Sequence, residues 1–161
     1  MVANLSLNAF QPNQPIDGLY VYMANEGQLH NVIVSESQSD ALKAGDVVIL
    51  DAASTNTNAP VVLGADTDDV PFGIVSYTPV QATHTSGMRV GLAREHDVIW
   101  KTANSAIDVG DPVGFKSDYT VEKAAPASGV TAGIIGIALT PAAAKGDLIQ
   151  VELHFSSVTG A

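Results

Sequence analysis

Four histidines and a surplus of carboxylates are the residues of this chain best suited to chemistry. Imidazole binds zinc-type ions and moves protons near neutral pH. His30 and His96 open matching phrases, His30-Asn31-Val32-Ile33-Val34 and His96-Asp97-Val98-Ile99-Trp100. Two such ligands do not complete a zinc site, and no H-E-x-x-H or H-x-x-x-H spacing occurs. His84 is expected in a Thr/Ser loop and His154 on the wet face of the last strand. The run Asp66-Thr67-Asp68-Asp69 lacks the Gly and the distant Glu of an EF-hand loop and reads as solvated loop acids. Asp17, Asp46, Asp51, Asp97 and Asp111 are not paired by spacing for acid–base work. Nucleophile-elbow, P-loop and dinucleotide-binding motifs are absent, and Ser86-Gly87 follows His84 without an elbow context. With no Cys, thiolate catalysis, disulfides and Cys-ligated metals are excluded. The expectation is a protein that is not an enzyme and holds no metal or cofactor.

Charge narrows the partners. The 161 residues carry 17 Asp plus Glu against 7 Lys plus Arg, a formal charge of −10. Lys43, Arg89, Arg94, Lys101, Lys116, Lys123 and Lys145 are scattered along the chain. Neither a nucleic-acid backbone nor an anionic membrane is an expected partner. Residues 1–10 lack the basic and apolar regions of a signal peptide, and no apolar run approaches a membrane span. Asn4-Leu5-Ser6 fits a glycosylation sequon without a secretory signal beside it. Trp100 and the tyrosines Tyr20, Tyr22, Tyr77 and Tyr119 are residues of core, rim or interface.

The elements that must position these groups come in two copies. After the histidine phrases, Leu42-Lys43-Ala44-Gly45-Asp46-Val47-Val48 matches Ile107-Asp108-Val109-Gly110-Asp111-Pro112-Val113. Phe72-Gly73-Ile74-Val75 then matches Ile135-Gly136-Ile137-Ala138, and the stretch from Gly87 to Leu92 matches Asp147 to Leu153. Four blocks in one order, about 65 residues apart, mark an internal repeat. Ile149, Val151, Leu153 and Phe155 alternate with Gln150, Glu152 and His154, a strand with one wet face. Met88, Val90 and Leu92 do the same. Further strands are predicted at 19–23, 31–34, 47–51, 60–63, 72–77, 98–100, 119–122 and 132–139. Gly45-Asp46, Gly110-Asp111 and Gly146-Asp147 read as structural turns ahead of strands. Thr140 to Gly146 is predicted to form one helical turn, and Ser35 to Lys43 another.

The predicted architecture is all-β, a sandwich or barrel built from two sequence-related halves, with an extended N-terminal arm. The arm and first strand take residues 1–25, the first repeat 26–95 and the second 96–161, with the halves packed as one globular unit. Leu5, Leu7 and Phe10 fit one face of a strand and are the candidate capsid or subunit contacts.

Lys43 to Val48, Val70 to Val75, Ile107 to Val113, Ile134 to Leu139, Ala142 to Ala144 and Leu148 to Leu153 together resemble a family of small tailed-phage proteins. These are capsid cement or head decoration proteins, and the resemblance spans residues 28 to 155. It implies a β-rich structural protein, made in the host cytoplasm and bound to the outer surface of the mature virion head. The implied partner is the major capsid protein, and the implied assembly a homotrimer. A tail, fibre or spike component, or a β-sandwich ligand-binding module, is the alternative.

Overall fold

The computed structural model describes residues 15–22 and 30–161. The predicted arm, with Leu5, Leu7 and Phe10, lies outside the described residues. No helix occurs among the described residues. Both predicted helical turns are replaced by tight turns and bridges. At 140–146, Ala142 pairs with Ile107, and Thr140 Oγ1 accepts the Gln150 N–H at 2.8 Å instead of capping a helix. At 35–43, the chain turns at Ser35 and ends in a short strand at Leu42–Lys43.

The first half begins with β1 (Tyr20–Tyr22) and β2 (His30–Val34). It continues with β3 (Leu42–Lys43), β4 (Val47–Leu50), β5 (Val61–Gly64), β6 (Gly73–Val75), β7 (Thr83–His84) and β8 (Arg89–Ala93). The second half holds β9 (Val98–Thr102), β10 (Pro112–Phe115), β11 (Val121–Lys123), β12 (Thr131–Ala138) and β13 (Leu148–Thr159). Strands β2-β5-β4-β6-β8 close into a barrel, with β2 and β5 parallel and the other pairs antiparallel. The second half repeats this pairing as an open, curled barrel, a six-stranded sheet with β1 at its edge: β1 with β9, β9 with β13, β13 with β12, β12 with β10 and β10 with β11. Where β2 and β5 form a parallel ladder, β9 and β11 share a single parallel bridge, Ala103 to Val121. The short β3–β7 pair, Leu42 opposite His84, recurs as the bridge between Ile107 and Ala142.

These pairings correct two blocks of the sequence repeat. Val34 N–H bonds Met88 O, and in the second half Ala103 N–H bonds Asp147 O. Val34 therefore matches Ala103, and His30 matches Ile99, not His96. Met88 matches Asp147, and Leu92 matches Val151, because Val75 pairs with Leu92 as Ala138 pairs with Val151. The Gly45/Gly110 and Gly73/Gly136 blocks stand as the sequence aligns them.

Period-2 alternation sends one side of each strand inward. Val32, Val34, Leu42, Val48, Val62, Val75, Val90 and Leu92 fill the first barrel, with Phe72 at its edge. By the same pairings, Ala103, Ile107, Val113, Val121, Ala138, Ile149 and Val151 fill the second. Each buried Val, Leu or Ile side chain contributes roughly 1.5–3 kcal/mol by leaving water. Only one matching position breaks the set: Lys101 stands where the first barrel has Val32, opposite Ile149 as Val32 is opposite Val90. The outer side of the first barrel is apolar too. Val47, Ile74, Ala93 and Ala65 join the second barrel's residues in one continuous core, with Tyr20 packed against it.

Candidate interaction face and polar clusters

The Gly-Asp pairs build one turn, used repeatedly. Gly45 (φ 90°) and Gly110 (φ 87°) take the left-handed position that a side chain resists. The Asp46 carboxylate accepts the Lys43 N–H at 2.9 Å, and Asp111 accepts the Asp108 N–H at 3.0 Å. Gly146 and Asp147 repeat the arrangement, with Asp147 accepting the Ala143 and Ala144 N–H groups. Met88 takes the same role in the first half, its sulfur accepting the Thr85 N–H at 3.3 Å. Asp66–Asp69 is a turn of similar hydrogen bonding, with Asp69 accepting the Asp66 N–H at 2.8 Å. At 94–97 the Asp97 carboxylate accepts the Arg94 N–H at 2.8 Å, but the left-handed position is held by His96 (φ 69°).

Equal turns sit in unequal surroundings. Burial raises the Asp46 carboxyl above its usual range, against the pull of the Lys43 N–H and the Lys43 and Lys101 charges. A 2.7 Å bond from Lys123 holds Asp111 below it. Lys101, fully buried, reaches out of the second barrel to Gly45 O at 2.5 Å and to Asp17 Oδ1 at 3.1 Å. The segment before β1 follows it in: Gly18 N–H bonds Trp100 O, and Trp100 N–H bonds Leu19 O, both at 2.9 Å. Tyr20 Oη then donates to Leu92 O at 3.0 Å, and burial pushes its phenol well above the ordinary range. Lys101 thus ties three parts of the chain, and its spacing from Asp17 and Gly45 in sequence carried no signal of this.

The outward side of β10 and β12 carries an apolar patch, bordered by polar residues of β13. Pro112, Ala124, Ile134, Ile137 and Val158 line a shallow depression of about 330 Å³ there, with His154 at its margin. Ile137 is 41% exposed, and nearby Val109 and Leu139 are exposed as well. The repeat explains why these residues are apolar. Val47 pairs with Ile74, and both are buried in the contact between the barrels. Their counterparts are Pro112 and Ile137, which pair in the same way and face outward. The sequence repeat could have found this face, had each outward position of one half been compared with its copy in the other.

A second groove, of about 630 Å³, runs past Ser35, Ser37 and Asp51. Ser35 Oγ donates to Asp51 Oδ2 at 2.6 Å, and among the described residues no imidazole lines this groove to act as base. His84 is not in a Thr/Ser loop: it is buried in β7, where its Nδ1 has no hydrogen-bond partner among the described residues. Arg94 lies over the Phe72 ring at 3.7 Å, and desolvation lowers its guanidinium pKa.

His96 and His154 meet where the two halves join. A β-bulge sets His154 and Phe155 of β13 against the single residue Ile135 of β12. The bulge frees the Phe155 N–H, which donates to Glu95 Oε1 at 2.7 Å. His154 Nε2 lies 3.1 Å from Glu152 Oε1, and its Nδ1 lies 3.8 Å from Glu95 Oε2. The His96 ring stands edge-on to it, with centroids 4.9 Å apart. Sequence spacing pointed to His30 with His96, whereas the fold brings His96 to His154. No family model matches the chain, and a search of curated proteins finds no match to it.

Proposed function

We propose that this protein is a structural virion component that binds the outer surface of a tailed-phage head and stabilises the expanded shell. The partner is the major capsid protein, and the working form is a homo-oligomer, a trimer. The observation that carries this reading is the outward pairing of Pro112 with Ile137, the copy of a pairing that the first barrel buries. A surface chemically equivalent to an internal contact, left open on a protein of formal charge −10, suits docking on another protein. The segments that resemble head decoration proteins fall on the Gly-Asp turns, on β4, β10 and β13 that follow them, and on β6 and β12; β10 and β12 carry this face. Acidity suits an outer surface facing away from packaged DNA. Many copies on a symmetric lattice turn modest contacts into lasting attachment.

The test is co-sedimentation with expanded heads of the protein's own phage, stripped of it beforehand. Saturable binding at a fixed ratio to the capsid subunit is expected. Ile137→Lys places a cation opposite Glu152, so the fold tolerates it. It should weaken binding about tenfold or more, the equivalent of about 1.4 kcal/mol. Protein that stays in the supernatant, or attaches to tails, overturns the reading.

A further inference from the structure

The geometry points to a site for a divalent transition-metal ion of zinc type, formed by Glu95, His96 and His154, that fastens the segment joining the two halves onto β13. One donor atom from each of the three lies within 4.8 Å of the others. Two imidazoles and one carboxylate are the donor set of a zinc-class ion. Calcium and magnesium prefer all-oxygen cages.

The donors are prepared for this task in ways that a chance cluster is not. Glu95 commits Oε1 to the Phe155 N–H, which orients the carboxylate and leaves Oε2 toward His154. Glu152 can only accept a hydrogen bond when ionised, so the proton of His154 sits on Nε2. The other ring nitrogen, Nδ1, faces Glu95 Oε2, 3.8 Å away. Metal–ligand bonds of about 2.0–2.2 Å to each atom bridge that gap with small adjustment. A carboxylate behind the far nitrogen of a ligating imidazole is the outer-shell arrangement that fixes tautomer and ring orientation at zinc sites.

His96 supplies the independent sign. Its turn has the hydrogen bonds of the Gly45, Gly110 and Gly146 turns, yet a histidine stands in the left-handed position that glycine holds in all three. A strained backbone that holds a ligating side chain in place is a mark of function. His96 N–H bonds Leu153 O at 2.8 Å and Leu153 N–H bonds Asp97 O at 2.9 Å, so the turn and β13 are held in fixed register. The exposed side of His96 leaves an outward coordination position to water.

Untagged protein titrated with zinc by calorimetry should bind one ion per chain. At zinc about 100-fold above the dissociation constant, Tm should rise by roughly 5–10 °C, and calcium at the same concentration should leave it unchanged. His154→Ala should weaken zinc binding tenfold or more. His96→Gly should raise Tm without zinc, by relieving the backbone, and abolish most of the zinc-dependent rise. The site is overturned if no stoichiometric zinc binds, if calcium gives the same rise, or if His96→Gly keeps the wild-type response to zinc.

Discussion

Asp46 and Asp111 show how far one residue's role depends on its surroundings. Both close the same turn, yet burial raises one carboxyl and an ammonium lowers the other. The consequences for stability have opposite signs. Asp111, depressed when folded, contributes stability present above its unfolded value of 3.8 and lost as pH falls through its folded pKa. Asp46, raised when folded, contributes stability present below 3.8 and lost as pH rises through its folded pKa. Urea unfolding between pH 3 and 8 should therefore separate two variants. Asp111→Asn should destabilise at neutral pH, with the gap to wild type closing in acid. Asp46→Asn keeps an acceptor for the Lys43 N–H and removes a buried charge, so at neutral pH it should match or exceed wild type. Parallel pH profiles for the two variants would contradict this account.

At the scale of elements, the β12–β13 ladder and its bulge organise the second half. The bulge re-aims His154 and releases the Phe155 N–H, and next to it the two backbones come together at Gly136. A Cβ there would run into Glu152 O and crowd Leu153 Cα at 3.1 Å. The partner is backbone in a ladder, which cannot swing away. Gly136→Ala should therefore cost about 3 kcal/mol or more, the upper range for overpacking. Gly110→Ala meets open space and suffers only the left-handed backbone, about 1–2 kcal/mol. Chemical denaturation of the pair checks the order. A Gly136→Ala protein as stable as Gly110→Ala would mean that the strands separate easily at the bulge.

Across the described residues, two related barrels, one closed and one an open curled sheet, are made inseparable. The second closes through a single bridge, and its open side is filled by Val47, Ile74 and Ala93 of the first and by the segment around Tyr20. Lys101 fastens that junction. Lys101→Ala leaves Asp17, 29% exposed, and the Gly45 carbonyl without their cation. The loss should be about 3 kcal/mol, the lower end for breaking a buried pair, and should lower Tm by roughly 6–12 °C. Because one core spans both halves, calorimetry should show a single transition in wild type and variant alike. Two separate transitions would show that the barrels unfold independently.

Much of this architecture was legible in the sequence. Alternation in 88–92 and 149–155, and Val/Ile runs punctuated by Gly, Pro and Asn, were enough for an all-β reading and for most strands. Those signals are local, and a strand's period and a turn's glycine act within a few residues. The short β3 and β7 escaped notice because they are held by pairing rather than by propensity. A run of alanines after Thr140 looks helical by propensity, but Ile107 and Asp147 take its backbone groups. The pairing of His96 with His154, the burial of Lys101 and the outward turn of Ile137 join residues far apart in the chain. Sequence alone determined that the chain would form strands in two related sets. Only the tertiary structure decided which copy of each residue is buried and which is exposed, because the barrels pack on each other through unequal faces, and burial, not residue type, sets the chemistry of a charge.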